Sequence, residues 1–295
     1  MILNSYKFVQ VADFPTPADA IRAFLEDTGM EAAPPKAVLA VAGPVEGGRG
    51  CLTNGAWQFD AVALAGEVGM SRMILVNDFA ALAHGLPHLT AADLHRVGGG
   101  GARADRPSVV IGPGTGLGVA AFVPAAGGIV LETEGGHVTL SAEDRREAEI
   151  LAILRDRYGH VSAERLLSGP GLELLHDVLQ SIDDSDNPTR RSAHEITERA
   201  LAGSCPACLA TLRTFCAMLG AFAGNVALTT GARGGVYIAG GIVPRFPEFF
   251  AKSDFRDRFE AKGRFRDWLS TIPTFVITRP DPAFPGLMAM LAHMD

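Results

Sequence analysis

Through the first half of the chain, short and nearly continuous apolar runs alternate with stretches in which apolar residues return at helical spacing. That pattern predicts a mainly parallel α/β layer. Tyr6 to Val11 reads as a short strand, and Pro17 to Thr28 as a helix with Ile21, Phe24 and Leu25 on one face. Ala37 to Ala42 is apolar almost throughout, as expected of a strand buried on both faces. Phe59 to Val68 is helical, and Met73 to Val76 is a second buried strand that ends at Asn77-Asp78 and turns directly into a helix through Leu82. Val97 to Arg106 is a loop, with the Gly98 to Gly101 run as a flexible link. Val109 to Ile111 and Val119 to Val123 are strands joined by Gly112 to Gly118, with no helix between them. From Ala142 helices dominate: Ala142 to Tyr158, a shorter one from Ser162, and a long one from Pro206 to Thr229. A strand at Gly235 to Ala239, a helix at Phe246 to Ala251, a strand at Phe275 to Thr278 and a closing helix at Gly286 to Met294 complete the prediction.

Composition narrows the class. A chain of 295 residues, 47% of them hydrophobic, can bury two moderate cores, so two domains are expected. The 26 basic and 33 acidic residues give a formal charge of -7, which works against a nucleic-acid or anionic-membrane surface. The most basic stretch, Arg256 to Arg266, interleaves Asp257 and Glu260 and reads as a solvated helix face. Met1 to Val11 has neither the basic start nor the apolar centre of a secretory signal, and no uninterrupted apolar run reaches membrane-spanning length, so a cytoplasmic protein is expected. Of four cysteines, Cys205-Pro-Ala-Cys208 is the one close pair. Without a second ligand pair it falls short of a zinc site, so a helix-capping or structural role is favoured over redox or metal chemistry. No protein-borne metal site is identified.

The candidate chemistry gathers at strand ends. Asp78 stands where a strand meets a helix, a position from which a carboxylate can reach a substrate in an open α/β sheet; taken alone, the residue reads first as a helix cap. The segment Gly112-Pro-Gly-Thr-Gly-Leu-Gly118 has neither the spacing of a dinucleotide fingerprint nor that of a P-loop. Its alternating glycines suit a hairpin that brings backbone N–H groups of Gly114, Thr115 and Gly116 close to an anion, helped by positive φ angles. Glu134 and His137 bracket two glycines, and a carboxylate beside a neutral imidazole can satisfy the vicinal hydroxyls of a sugar. Glu164 lies early in a helix, where the dipole favours a carboxylate, and by itself reads as surface helix chemistry.

Taken together, Leu75-Val-Asn-Asp-Phe79, Gly112 to Gly118, Glu134 to Val138, Gly159-His-Val-Ser-Ala-Glu-Arg165 with Leu167-Ser-Gly-Pro-Gly171, and Gly234-Gly-Val-Tyr-Ile-Ala-Gly-Gly-Ile-Val-Pro-Arg245 resemble the bacterial-type ATP-dependent glucokinases. The resemblance implies a two-domain actin/hexokinase-like (ribonuclease H-like) fold: a small α/β domain of residues 1–88 plus 280–295, and a larger α+β domain of 89–279, with sugar in the cleft. It implies that Asn77, Asp78, Glu134, His137 and Glu164 contact glucose, with Asp78 as general base, which replaces the surface reading of Glu164. Gly114, Thr115 and Gly116 would match the second phosphate motif, and Gly240 and Gly241 the adenosine motif. ATP and Mg2+ are implied as cosubstrate and ion, and a homodimer as the assembly. The cysteine cluster and DNA-binding arm of repressor-type sugar kinases are absent. One departure stands out: Met1 to Phe14 carries no Asp-x-Gly-Gly-Thr-Asn phosphate loop. It leaves a second reading beside the kinase, a non-catalytic sugar-binding remnant.

Overall fold

A computed structural model of the chain describes residues 8–30, 32–53, 55–125, 127–183 and 189–294. The chain divides into two compact units, Met1–His88 with Asp281–Asp295, and Leu89–Pro280.

Unit one opens with helix α1 (Pro17–Asp27), started by Pro17 and by the Thr16 hydroxyl, which accepts from Asp19 N at 3.2 Å. Strand β1 (Lys36–Val41) pairs in parallel with β5 (Arg72–Asn77), so that Val41 lies opposite Asn77 at their C-terminal ends. Between them, β2 (Val45–Glu46), β3 (Arg49–Cys51) and β4 (Gln58–Asp60) form a small antiparallel sheet. Asp60 then caps α2 (Ala61–Glu67) by accepting from Val62 N and Ala63 N. Helix α3 (Asp78–Gly85) starts at the very residue where β5 stops. A core of Val41, Phe59, Leu64, Ala65, Val68, Met73 and Leu75 joins these elements.

Unit two is built on a six-stranded sheet in the order β6-β11-β10-β7-β8-β9. In chain order its elements are β6 (Leu94–Gly98), β7 (Ser108–Pro113), β8 (Leu117–Val123), β9 (Ile129–Thr133), α4 (Arg145–Tyr158), α5 (Ala163–Leu166), α6 (Gly169–Ile182), α7 (Ala193–Leu201), α8 (Pro206–Thr230), β10 (Gly235–Ile238), α9 (Pro247–Ala251), α10 (Phe255–Glu260), α11 (Arg266–Ser270) and β11 (Thr274–Ile277). The parallel trio β11-β10-β7 forms the centre, and every residue of β10 is buried. Helix α8 runs through the core, with Leu212, Phe215, Cys216 and Leu219 fully buried and Phe255 and Phe259 of α10 stacked nearby. It is long and apolar enough to cross a membrane by length and composition, but most of that stretch is buried inside the unit. Cys205 is its N-cap, the sulfur accepting from Cys208 N at 3.4 Å. Finally α12 (Phe284–Ala292) returns to unit one and packs on α3 and β1.

Several expectations change. Of the strand expected at Tyr6 to Val11, Tyr6 and Lys7 lie outside the described residues, Phe8 to Gln10 has no regular structure, and Val11–Asp13 is a 3-10 turn. Strand β1 is only half-buried over most of its length, because among the described residues β5 is its single partner. Gly98 to Gly100 of the expected flexible run are packed rather than free, with only Gly101 in open space: Gly100 N donates to Thr271 O, and a Cβ on Gly99 would fall 2.0 Å from Ile272 O. The basic stretch from Arg256 is a solvated face only at its far end, where Arg264 and Arg266 are exposed. Arg256 is half-buried and donates to the carbonyls of Leu269, Ser270 and Ile272. Arg258 pairs with Glu143 at 3.4 Å, Asp144 at 3.2 Å and Glu147 at 2.6 Å, and Lys262 also bonds Glu143. Within α10 the helical register turns Arg256 and Arg258 inward beside Phe255 and Phe259; Glu260 meets Arg256 at 2.6 Å, and carboxylates from α4 and the segment before it meet Arg258 and Lys262.

Candidate active site

At the end of β5, the residue that caps α3 is Asn77 rather than Asp78. Asn77 Oδ1 accepts from Phe79 N at 2.9 Å and from Ala80 N at 3.2 Å, while Nδ2 donates to Gly43 O at 2.9 Å, tying together the C-terminal ends of β5 and β1. With the capping oxygen supplied by its neighbour, Asp78 sits at the first helical position. One of its oxygens accepts from Phe79 N at 2.9 Å, leaving the other available for a ligand. Partial burial pushes the Asp78 carboxyl above its usual range, opposed by hydrogen bonds from the Phe79 and Asp78 amides. A half-buried carboxylate with a raised pKa at a strand end is what a general base requires. Gly43, which sequence reasoning passed over, carried a signal in its place just after the β1 strand end.

Helix α3 is held from the opposite side by α12. A Cβ on Gly286 would fall 1.9 Å from Ala81 O and 2.7 Å from Gly85 N, so the helices meet backbone to backbone at that point. The glycine therefore fixes the depth at which α3, and Asp78 at its start, is seated.

In unit two the remaining predicted residues come together around the β7–β8 hairpin. Pro113 pairs with Leu117, which leaves Gly114, Thr115 and Gly116 as the turn, and Gly114 N donates to Gly116 O at 2.8 Å. None of the four alternating glycines has a positive φ, contrary to the expectation from the sequence. What the turn requires at Gly116 is space, because a Cβ there would lie 2.5 Å from Glu164 Oε2. Positive φ belongs instead to Gly240, at 82°, where a Cβ would strike Pro113 O at 2.3 Å. Ala239 N donates to Ile111 O at 2.8 Å, extending the β10–β7 ladder up to that close approach. Gly241 N then lies 3.8 Å from where a Cβ on Gly114 would stand, so the two glycine motifs are neighbours at the C-terminal ends of adjacent parallel strands.

Glu134 and His137 flank a 3-10 turn over Gly135–His137 that presses against β8, where a Cβ on Gly136 would fall 2.1 Å from Leu117 O. His137 stands between two carboxylates, with Nε2 3.7 Å from Glu134 Oε2 and Nδ1 4.0 Å from Glu164 Oε1. Both separations exceed hydrogen-bond length, so each group keeps capacity for a ligand. Glu134 and His137 are exposed, whereas the Glu164 side chain is 33% exposed and Oε2 accepts from Leu117 N at 2.8 Å. The surface-helix reading of Glu164 is thus replaced by a contact with the hairpin. Ser162 caps α5 through Arg165 N, and Ala163 N donates to Val138 O, bringing Glu164 beside His137. Gly169 N, at the start of α6, donates to Gly114 O at 2.7 Å.

The chain matches the family model described as glucokinase over residues 2–294. It is 49% identical over 274 residues to a glucokinase of Aromatoleum aromaticum, covering 92% of this chain and 82% of that protein. To a glucokinase of Nitrobacter hamburgensis it is 48% identical over 285 residues, covering 96% of this chain and 89% of the other. Among solved structures, a glucokinase from an Antarctic psychrotroph superposes with a TM-score of 0.86 at 35% identity, over 95% of this chain and 87% of that one. The fold is the actin/hexokinase-like fold, and the chain belongs to the glucokinase family.

Proposed function

We propose that the protein transfers the γ-phosphoryl group of ATP to the 6-hydroxyl of glucose, giving glucose 6-phosphate and ADP. The observation that carries the catalytic assignment is the division of labour at the end of β5: Asn77 supplies the cap, so the half-buried Asp78 carboxylate is left for chemistry. Asp78 accepts the proton of the 6-hydroxyl as its oxygen bonds to phosphorus, the bond from phosphorus to the ADP oxygen breaks, and the proton then passes to solvent. Asn77, Glu134, His137 and Glu164 hold the sugar hydroxyls, the carboxylates accepting and the imidazole doing either. Gly114, Thr115 and Gly116 receive nucleotide phosphates, and Gly240 and Gly241 receive the adenosine. Mg2+ bound with ATP would supply charge neutralisation at the phosphates; with no cluster of metal-ligating side chains among the described residues, it would draw few ligands from the protein. A small unit of residues 1–88 plus 280–295 and a larger one of 89–279 are proposed as the two functional domains. A cytoplasmic homodimer, as the family resemblance implies, completes the proposal; the formal charge of -7 and the burial of α8 support only its lack of nucleic-acid and membrane partners.

The test is ADP release by the 295-residue chain with glucose and MgATP, against an Asp78→Ala control. Turnover on the order of 10 per second is expected for the wild type, with near-abolition in the variant. Glucose-dependent thermal stabilisation without ADP release would overturn the kinase reading and leave a sugar-binding protein.

A further inference from the structure

The phosphate hairpin and the sugar carboxylates share one joint. Glu164 Oε2 accepts from Leu117 N at 2.8 Å, and a Cβ on Gly116 would fall 2.5 Å from that oxygen and 3.3 Å from the carboxyl carbon. Apart from its two chain neighbours, no other residue among those described comes within 4 Å of that position, so Glu164 bounds the space left by the missing side chain. The φ of Gly116 is not positive, so its φ does not itself demand a glycine.

We propose that the missing side chain of Gly116 makes it a positioning residue for Glu164, in addition to the phosphate contact offered by its backbone. Its missing Cβ lets the carboxylate clamp the hairpin through Oε2 while Oε1, 4.0 Å from His137 Nδ1, takes a sugar hydroxyl. This deepens the proposed function, on which it rests for the identity of the sugar. A charge-assisted bond to a backbone amide is among the stronger hydrogen bonds. Because the clashing atom is the far end of a flexible side chain, an alanine at 116 lets the protein fold while swinging the carboxylate off Leu117 N. The damage therefore falls first on the sugar, and the hairpin loses its tie as a second effect.

The experiment is a double-mutant cycle of Gly116→Ala and Glu164→Ala, read by glucose affinity without nucleotide, by KM for each substrate and by hydrogen exchange at the Leu117 amide. Gly116→Ala alone is expected to weaken glucose binding about tenfold or more, the loss expected of one charged hydrogen bond. In the Glu164→Ala background the same change should cost less than about twofold, since residues acting through each other are not additive. Glu164→Gln, whose amide oxygen still accepts from Leu117 N, should keep Leu117 protected, whereas Gly116→Ala and Glu164→Ala should lose protection alike. Equal losses in both backgrounds, or a raised KM for ATP with glucose affinity unchanged, would overturn the proposal. If the wild type binds no glucose, the proposed function fails and the exchange experiment still decides the joint: unchanged Leu117 protection in Gly116→Ala would refute it.

Discussion

Replacing Gly286 with alanine places a methyl carbon 1.9 Å from Ala81 O and 2.7 Å from Gly85 N, in the backbone of α3. A carbon normally stands about 3.3 Å or more from a carbonyl oxygen, so α12 and α3 must part by roughly 1.4 Å. Overpacking of this kind costs about 1–3 kcal/mol, and the upper end applies because both blocking atoms are backbone and neither can rotate away. For a unit near 100 residues each kcal/mol lowers Tm by about 4–8 °C, so at about 3 kcal/mol a fall of about 12–24 °C is expected in the transition that reports unit one. Scanning calorimetry of the full chain, with urea unfolding as a second measure, reads it directly. Turnover should fall as well, since Asp78 lies one helical turn before Ala81 and moves with it. Gly85→Ala is the internal comparison. Its Cβ would meet Gly286 N at 3.2 Å and Pro282 O at 3.3 Å, a far milder contact. A Gly286→Ala protein that melts within about 2 °C of the wild type, or melts no lower than Gly85→Ala, would refute the backbone-contact argument.

Other substitutions test other parts of the argument. Asp78→Asn should lower kcat by about 10²–10⁴, the usual worth of a positioned general base, and the same variant should be more stable than the wild type at neutral pH. The sign follows from burial: the folded-state pKa of Asp78 is raised, so the wild type loses stability as pH rises through it, and the advantage of the variant should vanish below about pH 3; an advantage that persists in acid would contradict this. Arg258→Met strands Glu147, whose side chain is 3% exposed, and should cost about 3–5 kcal/mol in urea unfolding. Cys205→Ala should lose about 0.5–1 kcal/mol as the α8 cap disappears, while Cys205→Ser, a better cap, should equal or exceed the wild type; equal stability of all three proteins would remove the capping role.

Local sequence determined much of this protein. The apolar runs place β1, β5, β7, β8 and β10 to within a residue or two, because a strand inside a parallel or mixed layer needs little but continuous apolar side chains, even where, as in β1, its burial is partial. The helix of Cys205 and the turn of Gly112 to Gly118 were legible for similar reasons, since caps and glycine hairpins are set by neighbours in the chain. The short strands β2, β3, β4 and β9 were not, as polar and exposed segments carry no period that separates them from loops. Residue identity by itself also favoured the cap over the base at Asp78, and left Glu164 between surface charge and site. Tertiary structure decided both. Asn77 takes the cap because its amide can also reach Gly43 O on the neighbouring strand, and Glu164 finds Leu117 N, 47 positions away along the chain. The same holds for the glycines: Gly116 and Gly286 read as turn and helix residues in sequence. Only the packing of distant segments shows that one makes room for a carboxylate and the other for a helix backbone. Sequence determines which groups can hydrogen-bond or pack, and the fold decides which partners lie within reach.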